Sequence, residues 1–202
     1  NQILLEISSP ALNFDIMKLE KYPKIAVYSP KSKQPWDDAV TLVLTYAEIP
    51  YDVVFDDEVL RGELSKYDWL HLHHEDFTGQ YGKFYGNYGN MPWYLEQQKE
   101  AEDMARKHGF PKVSQLKLAV GKRIKEFVAS GGFLFAMCSA TDSYDIALAA
   151  EGTDICERMY DGDAADPRGQ DKLNYENTLA FTNFHLVRDP FTYEFSDIDN
   201  NA

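Results

Sequence analysis

From Lys24 onward the chain alternates short apolar runs with longer amphipathic stretches. "KIAVYSP" is apolar throughout its centre, too short for a helix and ended by Pro30, which predicts a buried strand. In "PWDDAVTLVLTYAEI" Trp36, Val40, Val43, Leu44 and Ala47 share one helical face, with Pro35 near the start where its missing N–H does no harm. "YDVVFDDE" predicts a second strand, "VLRGELSKY" a short helical or irregular link, and "YDWLHLHH" a third strand.

A long aromatic and glycine-rich loop, "FTGQYGKFYGNYGNMPW", then leads into the helical pattern "YLEQQKEAEDMARKHG", with Gly109 as its C-cap. "SQLKLAVGKRIKEFVAS" predicts a second helix, N-capped by Ser114 and stopped by Gly131 and Gly132. "GFLFAMCSA" reads as a fourth buried strand and "TDSYDIALAAEG" as the helix leaving it. Strands that alternate with helices argue for a mainly parallel sheet covered on both faces, an α/β protein. Residues 1–23 form a lead-in with at most one short strand, and 24–152 carry the α/β pattern. Residues 153–202 are acidic and turn-rich, with "LAFTNFHLV" as a strand candidate, and are expected to complete or continue the domain.

Charge narrows the partners. The formal net charge is -13 over 202 residues and no basic block occurs, so phosphate backbones and anionic membrane surfaces are repelled. No apolar run reaches the ~18 residues of a membrane span. A small molecule is the expected ligand, and no cofactor is called for. The two cysteines, Cys138 and Cys156, sit in unlike contexts and are expected to be free thiols.

The most informative stretch is "GGFLFAMCSATDS". A buried strand runs into Cys138, flanked by small residues, and a helix starts almost at once. That is the strand–turn–helix of a nucleophile elbow, with Ala136 and Ala140 in place of the flanking glycines of G-x-S-x-G. The helix N-terminus beyond Cys138 would favour a thiolate, with Thr141 and Asp142 as candidate caps. A small, inert core thiol is the competing reading.

With these residues in place the chain resembles the class I glutamine amidotransferase-like superfamily, over about residues 24–152. The resemblance rests on the order of elements and on "FAMCSA", and it implies a flavodoxin-like three-layer sandwich. "KIAVYSPKSKQPWDDAVTLVLTYAEIPYDVVFDDEVL", "YDWLHLHHEDFTGQYGKFY" and "FLFAMCSATDSYDIALAAEG" are similar to a family of Bacteroidota proteins often labelled asparagine synthetase B. The "SGG" at Ser130–Gly132 continues as "FLF" and not as the S-G-G-x-D-S phosphate loop of an ATP pyrophosphatase, so ATP-dependent activation of aspartate is not expected. The superfamily also implies a Cys-His-Glu triad with an H-x-E motif. His185 stands in "FHLVRD", with Val187 at the second position after it, so the triad is not carried over to His185. The similar proteins are longer than this chain, and Asn1 stands where a start Met would, so further domains of the same protein are expected partners.

A flavodoxin-like strand order of 2-1-3-4-5 would bring the end of the third strand, "HLHHED", beside Cys138. His71 is expected to be a buried, hydrogen-bonded histidine. His73 or His74 is then the candidate base, and the backbone N–H of Ser139 an oxyanion donor. Glu75 and Asp76, with Tyr81, Tyr85, Tyr88 and Trp93 of the aromatic loop, are candidate substrate contacts. The loop reads equally as a lid that stacks on a small molecule such as a carbohydrate, or as an Ω-loop that buries its own rings. A metal on the His-x-His pair of "HLHHED" is a third reading, but no third ligand is identifiable and no metal residue is assigned. The acidic "DGDAADPRGQD", with Asp161, Asp163 and Asp166, has Ala165 where a calcium loop needs a ligand, and reads as a solvated turn. Two functional classes stay open: a cysteine-dependent hydrolase or amide transferase, and a non-catalytic binding domain.

Overall fold

A computed structural model of the protein describes residues 22–30 and 39–199, together with Ser9 and Ala11. Pro35 and Trp36, and nearly all of the lead-in with its strand candidate, lie outside the described residues. Four strands form one sheet: β1 Ile25–Tyr28, β2 Tyr51–Val54, β3 Trp69–Leu72 and β4 Phe133–Ala136. Every pairing is parallel and the order is β2-β1-β3-β4. This is the flavodoxin-like order over its first four strands, with no fifth strand among the described residues. The helices are α1 Ala39–Tyr46, α2 Asp56–Leu60, α3 Tyr85–Tyr88, α4 Pro92–Lys107, α5 Val113–Ala129, α6 Ala140–Ala149 and α7 Arg158–Asp161.

Alternation along the strands sorts the sheet into two unequal faces. Ala26, Tyr28, Val54, Leu70 and Leu72 point to one side and are packed by Val120, Ile124 and Phe127 of α5 and by Tyr144, Ala147 and Leu148 of α6. Burying each of the larger aliphatic side chains contributes about 1.5–3 kcal/mol, so this layer carries most of the driving force. The opposite face holds Ile25, Val27, Trp69 and His71, with Phe133 and Phe135 across the β3–β4 register. Trp69 meets Phe133 edge-on at 5.7 Å, and His71 stacks on Phe135 at 5.5 Å. Phe133 is nevertheless 57% exposed and Phe135 46% exposed.

That asymmetry corrects two expectations. Among the described residues β4 is an edge strand, and not a strand buried on both faces. The apolar stripe of α1 is not buried either, as Val43 and Ala47 stand exposed and Val40 and Leu44 are only half-buried. Elsewhere the periodic patterns translate directly. α4 is C-capped by His108, one residue before the expected Gly109, which turns left-handed at φ 78° and donates its N–H to the Arg106 carbonyl at 3.0 Å. The start of α5 differs from expectation, because Lys112 is the N-cap and Ser114 lies inside the first turn. Gly79 backs onto that turn so closely that a Cβ there would lie 2.8 Å from the Ser114 nitrogen, which explains a glycine at this left-handed position.

The candidate strand "LAFTNFHLV" is absent. Among the described residues, this part of the chain pairs only through an isolated antiparallel bridge between Leu186 and Ser196. The acidic segment after Gly152 folds onto the α/β unit instead. Ile155, Phe184 and Phe195 close a second cluster over Ile146, Ala149 and Ala150 of α6. Both cysteines are free thiols, Cys138 exposed and Cys156 buried.

Candidate functional site

The turn between β4 and α6 is a left-handed elbow. Cys138 adopts φ 54°, a conformation that costs an L-residue with a Cβ about 1–2 kcal/mol. Ala140 behind it is fully buried, which lets α6 leave the strand at close range. Thr141 N–H donates to the Cys138 carbonyl at 3.0 Å and closes the turn. Ser139 is the N-cap but caps nothing with its side chain, and Thr141 and Asp142, the expected caps, lie within the helix. The Ser139 hydroxyl instead donates across to the His74 carbonyl at 2.8 Å. Asp142 is buried and accepts from Ser196 Oγ at 3.3 Å.

The chain after β3 is laced to this elbow. Met137 N–H donates to the Leu72 carbonyl at 3.1 Å and Ala140 N–H to that of His73 at 3.4 Å. Ser143 Oγ donates to the Glu75 carbonyl at 3.0 Å and accepts from Phe77 N–H at 3.3 Å. "HHED" therefore runs beside Cys138, the adjacency that the strand order implies. The three imidazoles form a ladder, His71–His73 at 6.3 Å and His73–His74 at 4.8 Å between ring centres. His71 is buried under Phe135, while His73 and His74 are half-buried.

Glu75 and Asp76 have architectural contacts of their own. Glu75 Oε2 accepts from His73 N–H at 2.8 Å. Asp76 Oδ1 accepts from the Thr78 N–H and hydroxyl, both at 2.6 Å, and Oδ2 from Gly82 N–H at 3.0 Å. These bonds hold an unusual turn in which Tyr81, Gly82 and Lys83 are all left-handed, at φ 51°, 70° and 58°. Lys83, within this turn, is buried, its Nζ donating to the Val187 carbonyl at 2.7 Å. Burial pulls its ammonium pKa down to about 8, against the opposing pull of the Asp76 charge.

A cavity of about 510 Å³ opens at the carboxyl ends of β1, β2 and β3, where the strand order reverses and α/β sheets bind ligands. His74, Glu75 and Asp76 form one wall; Phe55, Asp57 and Glu58 after β2 form another. α4 supplies Glu100, Asp103 and Met104, and α5 supplies Lys117. Cys138 is not part of this lining. Beneath it lies a buried polar knot that the sequence reading missed. Lys117 Nζ donates to both carboxylate oxygens of Asp56 and to Tyr28 Oη, each at 2.9 Å, while Tyr28 OH donates to Asp56. Burial, then the Asp56 charge, pushes the Tyr28 phenol well above its usual range. A signal was present in "VSQLKLAV", where Lys117 falls on the same face as Val113, Val120 and Ile124, but its partner is 61 residues away.

The aromatic loop divides. Tyr81 lines the cavity together with Phe84. Tyr85, Tyr88 and Trp93 do not line it and pack on their own surroundings. Trp93 lies 5.8 Å from Phe84 and 5.3 Å from Tyr88, and Tyr85 lies 6.2 Å from Tyr160. Phe84 stacks on Tyr193 at 5.3 Å, outside the loop, and Tyr88 stays exposed.

Among the described residues, three potential metal ligands come together at Asp154, Cys156 and Asp161, and not along "HLHHED". The Lys112 ammonium already bridges that acidic group, at 2.5 Å from Asp154, 2.9 Å from Asp161 and 2.6 Å from Asp163. Asp166 pairs with Lys172. Two lysines thus reach Asp161, Asp163 and Asp166 of the acidic turn from outside it. His185 is exposed and pairs with Asp197 at 3.1 Å.

The architecture and these sites define an α/β protein of flavodoxin-like topology with a cysteine elbow and a strand-end cavity. No family model, curated protein or solved structure matches the chain.

Proposed function

We propose that the chain is a class I glutamine amidotransferase-like domain in which Cys138 is the nucleophile of amide hydrolysis or amide transfer. The observation that carries the reading is the φ of 54° at Cys138. Strain at a non-glycine residue persists only where surrounding structure imposes it, and such residues cluster at reactive sites. An exposed thiol at the mouth of a helix adds reach and a favourable dipole. The sequence likeness around "FAMCSA", and to the Bacteroidota proteins labelled asparagine synthetase B, points the same way.

In this reading the Cys138 thiolate attacks the carbonyl carbon of a primary amide, its proton having passed to His73 or His74. The oxyanion of the tetrahedral intermediate takes a hydrogen bond from Ser139 N–H. The C–N bond breaks, the imidazolium returns its proton, and ammonia leaves a thioester on Cys138. Water then cleaves the C–S bond and restores the thiol, and in the transfer reaction the released ammonia goes on to a separate acceptor. A diazoketone analogue of glutamine tests this. It should place one covalent adduct on Cys138, found by peptide mass spectrometry, and Cys138→Ala should abolish it. A protein that hydrolyses no amide and takes no adduct at Cys138 overturns the reading.

A second reading is favoured by the 510 Å³ cavity: a small-molecule-binding domain that uses the strand ends without the thiol. Tyr81, Glu75 and Asp76 are its contacts in common with the first.

A further inference from the structure

We infer that the cavity at the ends of β1, β2 and β3 takes an organic cation, an ammonium or guanidinium group on an apolar body. The inference rests on the reading of this cavity as a small-molecule site, and adds the chemical class. Among the described residues, six carboxylates line the cavity, from Asp57, Glu58, Glu75, Asp76, Glu100 and Asp103, against the ammonium groups of Lys107 and Lys117. Both ammonium groups are committed to partners, Lys107 to Asp57 at 2.8 Å and Lys117 to Asp56 at 2.9 Å. Arg61 satisfies Asp57 and Glu58, and Arg106 satisfies Asp103. Among the described residues no lysine or arginine forms an ion pair with Asp76 or Glu100. Asp76 is fixed in place by its three donors and keeps its field on the cavity.

The apolar part of the wall selects the kind of cation. The rings of Phe55, Tyr81 and Phe84 line the same space, and aromatic faces attract ammonium and guanidinium groups within about 6 Å. Phe55 already has one such contact, with Lys117 Nζ 4.4 Å from its ring centre. A bare metal ion is disfavoured by spacing. Among the described residues, no three ligand atoms on this wall come within 4.8 Å of one another. Carboxylates and phosphates are repelled by the wall and by the chain's net charge of -13.

Calorimetric titration of the whole chain with three probes of one shape tests the proposal: benzylamine, benzyl alcohol and benzoate. Benzylamine is expected to bind at least about tenfold more tightly than benzyl alcohol, with benzoate weakest, and to weaken as salt rises. Glu100→Gln combined with Glu58→Gln should bring the amine and alcohol affinities together, since Gln keeps the acceptor that Glu58 offers to Phe55 N–H. Ala101→Phe, which fills the cavity, should remove amine binding. Equal affinity for amine and alcohol, both lost on Ala101→Phe, overturns the cation while the cavity reading stands. Amine binding that survives both variants places the cation elsewhere and overturns the inference. Binding of none of the probes overturns the inference and the cavity reading together.

Discussion

Cys138 stands exposed on a left-handed residue between β4 and α6, whereas Cys156 is sealed beneath the loop that follows β3. The Cys156 thiol donates to the Thr78 carbonyl at 3.2 Å and packs with Tyr81, Tyr94 and Tyr160. Burial pushes its pKa well up, and the charges of Asp76, Asp161 and Asp154 push further in the same direction. The same side chain serves in one place as a compact filler and in the other sits on a strained backbone with open access. What separates them is not the thiol but the backbone and the solvent around it.

Alkylation is the widest test of that contrast. Iodoacetamide at neutral pH is expected to modify Cys138 about 100-fold faster than Cys156, because the buried thiol is both inaccessible and held protonated. Peptide mass spectrometry over time reads the ratio, and comparable rates would break the comparison. Stability comes next. Cys156→Ala should lower unfolding free energy by about 1–2 kcal/mol through lost packing, and Cys138→Ala should change it by less than about 0.5 kcal/mol. Urea unfolding of the two variants beside the wild type measures both.

Cys138→Gly sharpens the comparison further, since glycine adopts the left-handed conformation freely. It should leave stability unchanged or raise it by up to about 1 kcal/mol, the relieved strain being offset in part by the looser unfolded chain. A loss above 1 kcal/mol would mean that the elbow is not strained. The last test is alkaline. Folded Cys156 keeps its proton to higher pH than the unfolded thiol, whose ordinary value is 9.0. Above that pH the folded state binds more protons, so this contribution to stability falls as pH rises. The wild type's advantage over Cys156→Ala should therefore narrow by about 1 kcal/mol at pH 10.

Much of this was legible in the residues. Apolar runs shorter than a helix mark β1 to β4, and the 3.6-residue stripe marks α5 with Leu116, Val120, Ile124 and Phe127 on its buried side. Small residues on either side of Cys138 announce a close strand–helix turn. Helix starts were less legible, because a hydroxyl has several acceptors to choose from. The Ser139 side chain bonds to the strand next door and not to its own helix. Asp76 carries no local sign that its three acceptor contacts shape the Tyr81–Lys83 turn. Nor does "GFLFAMCSA" declare which of its faces the fold leaves open, since a central and an edge strand share the same apolar run.

The alternation of strands and helices and the close turn around Cys138 are written locally, because both depend on periodicity and residue size within a few positions. Tertiary structure alone decided which thiol is open, which carboxylates face the cavity, and that Lys117 meets Asp56 and Tyr28. Those outcomes depend on which distant segments come to share one low-dielectric interior, where a buried charge must find a partner wherever the chain supplies it.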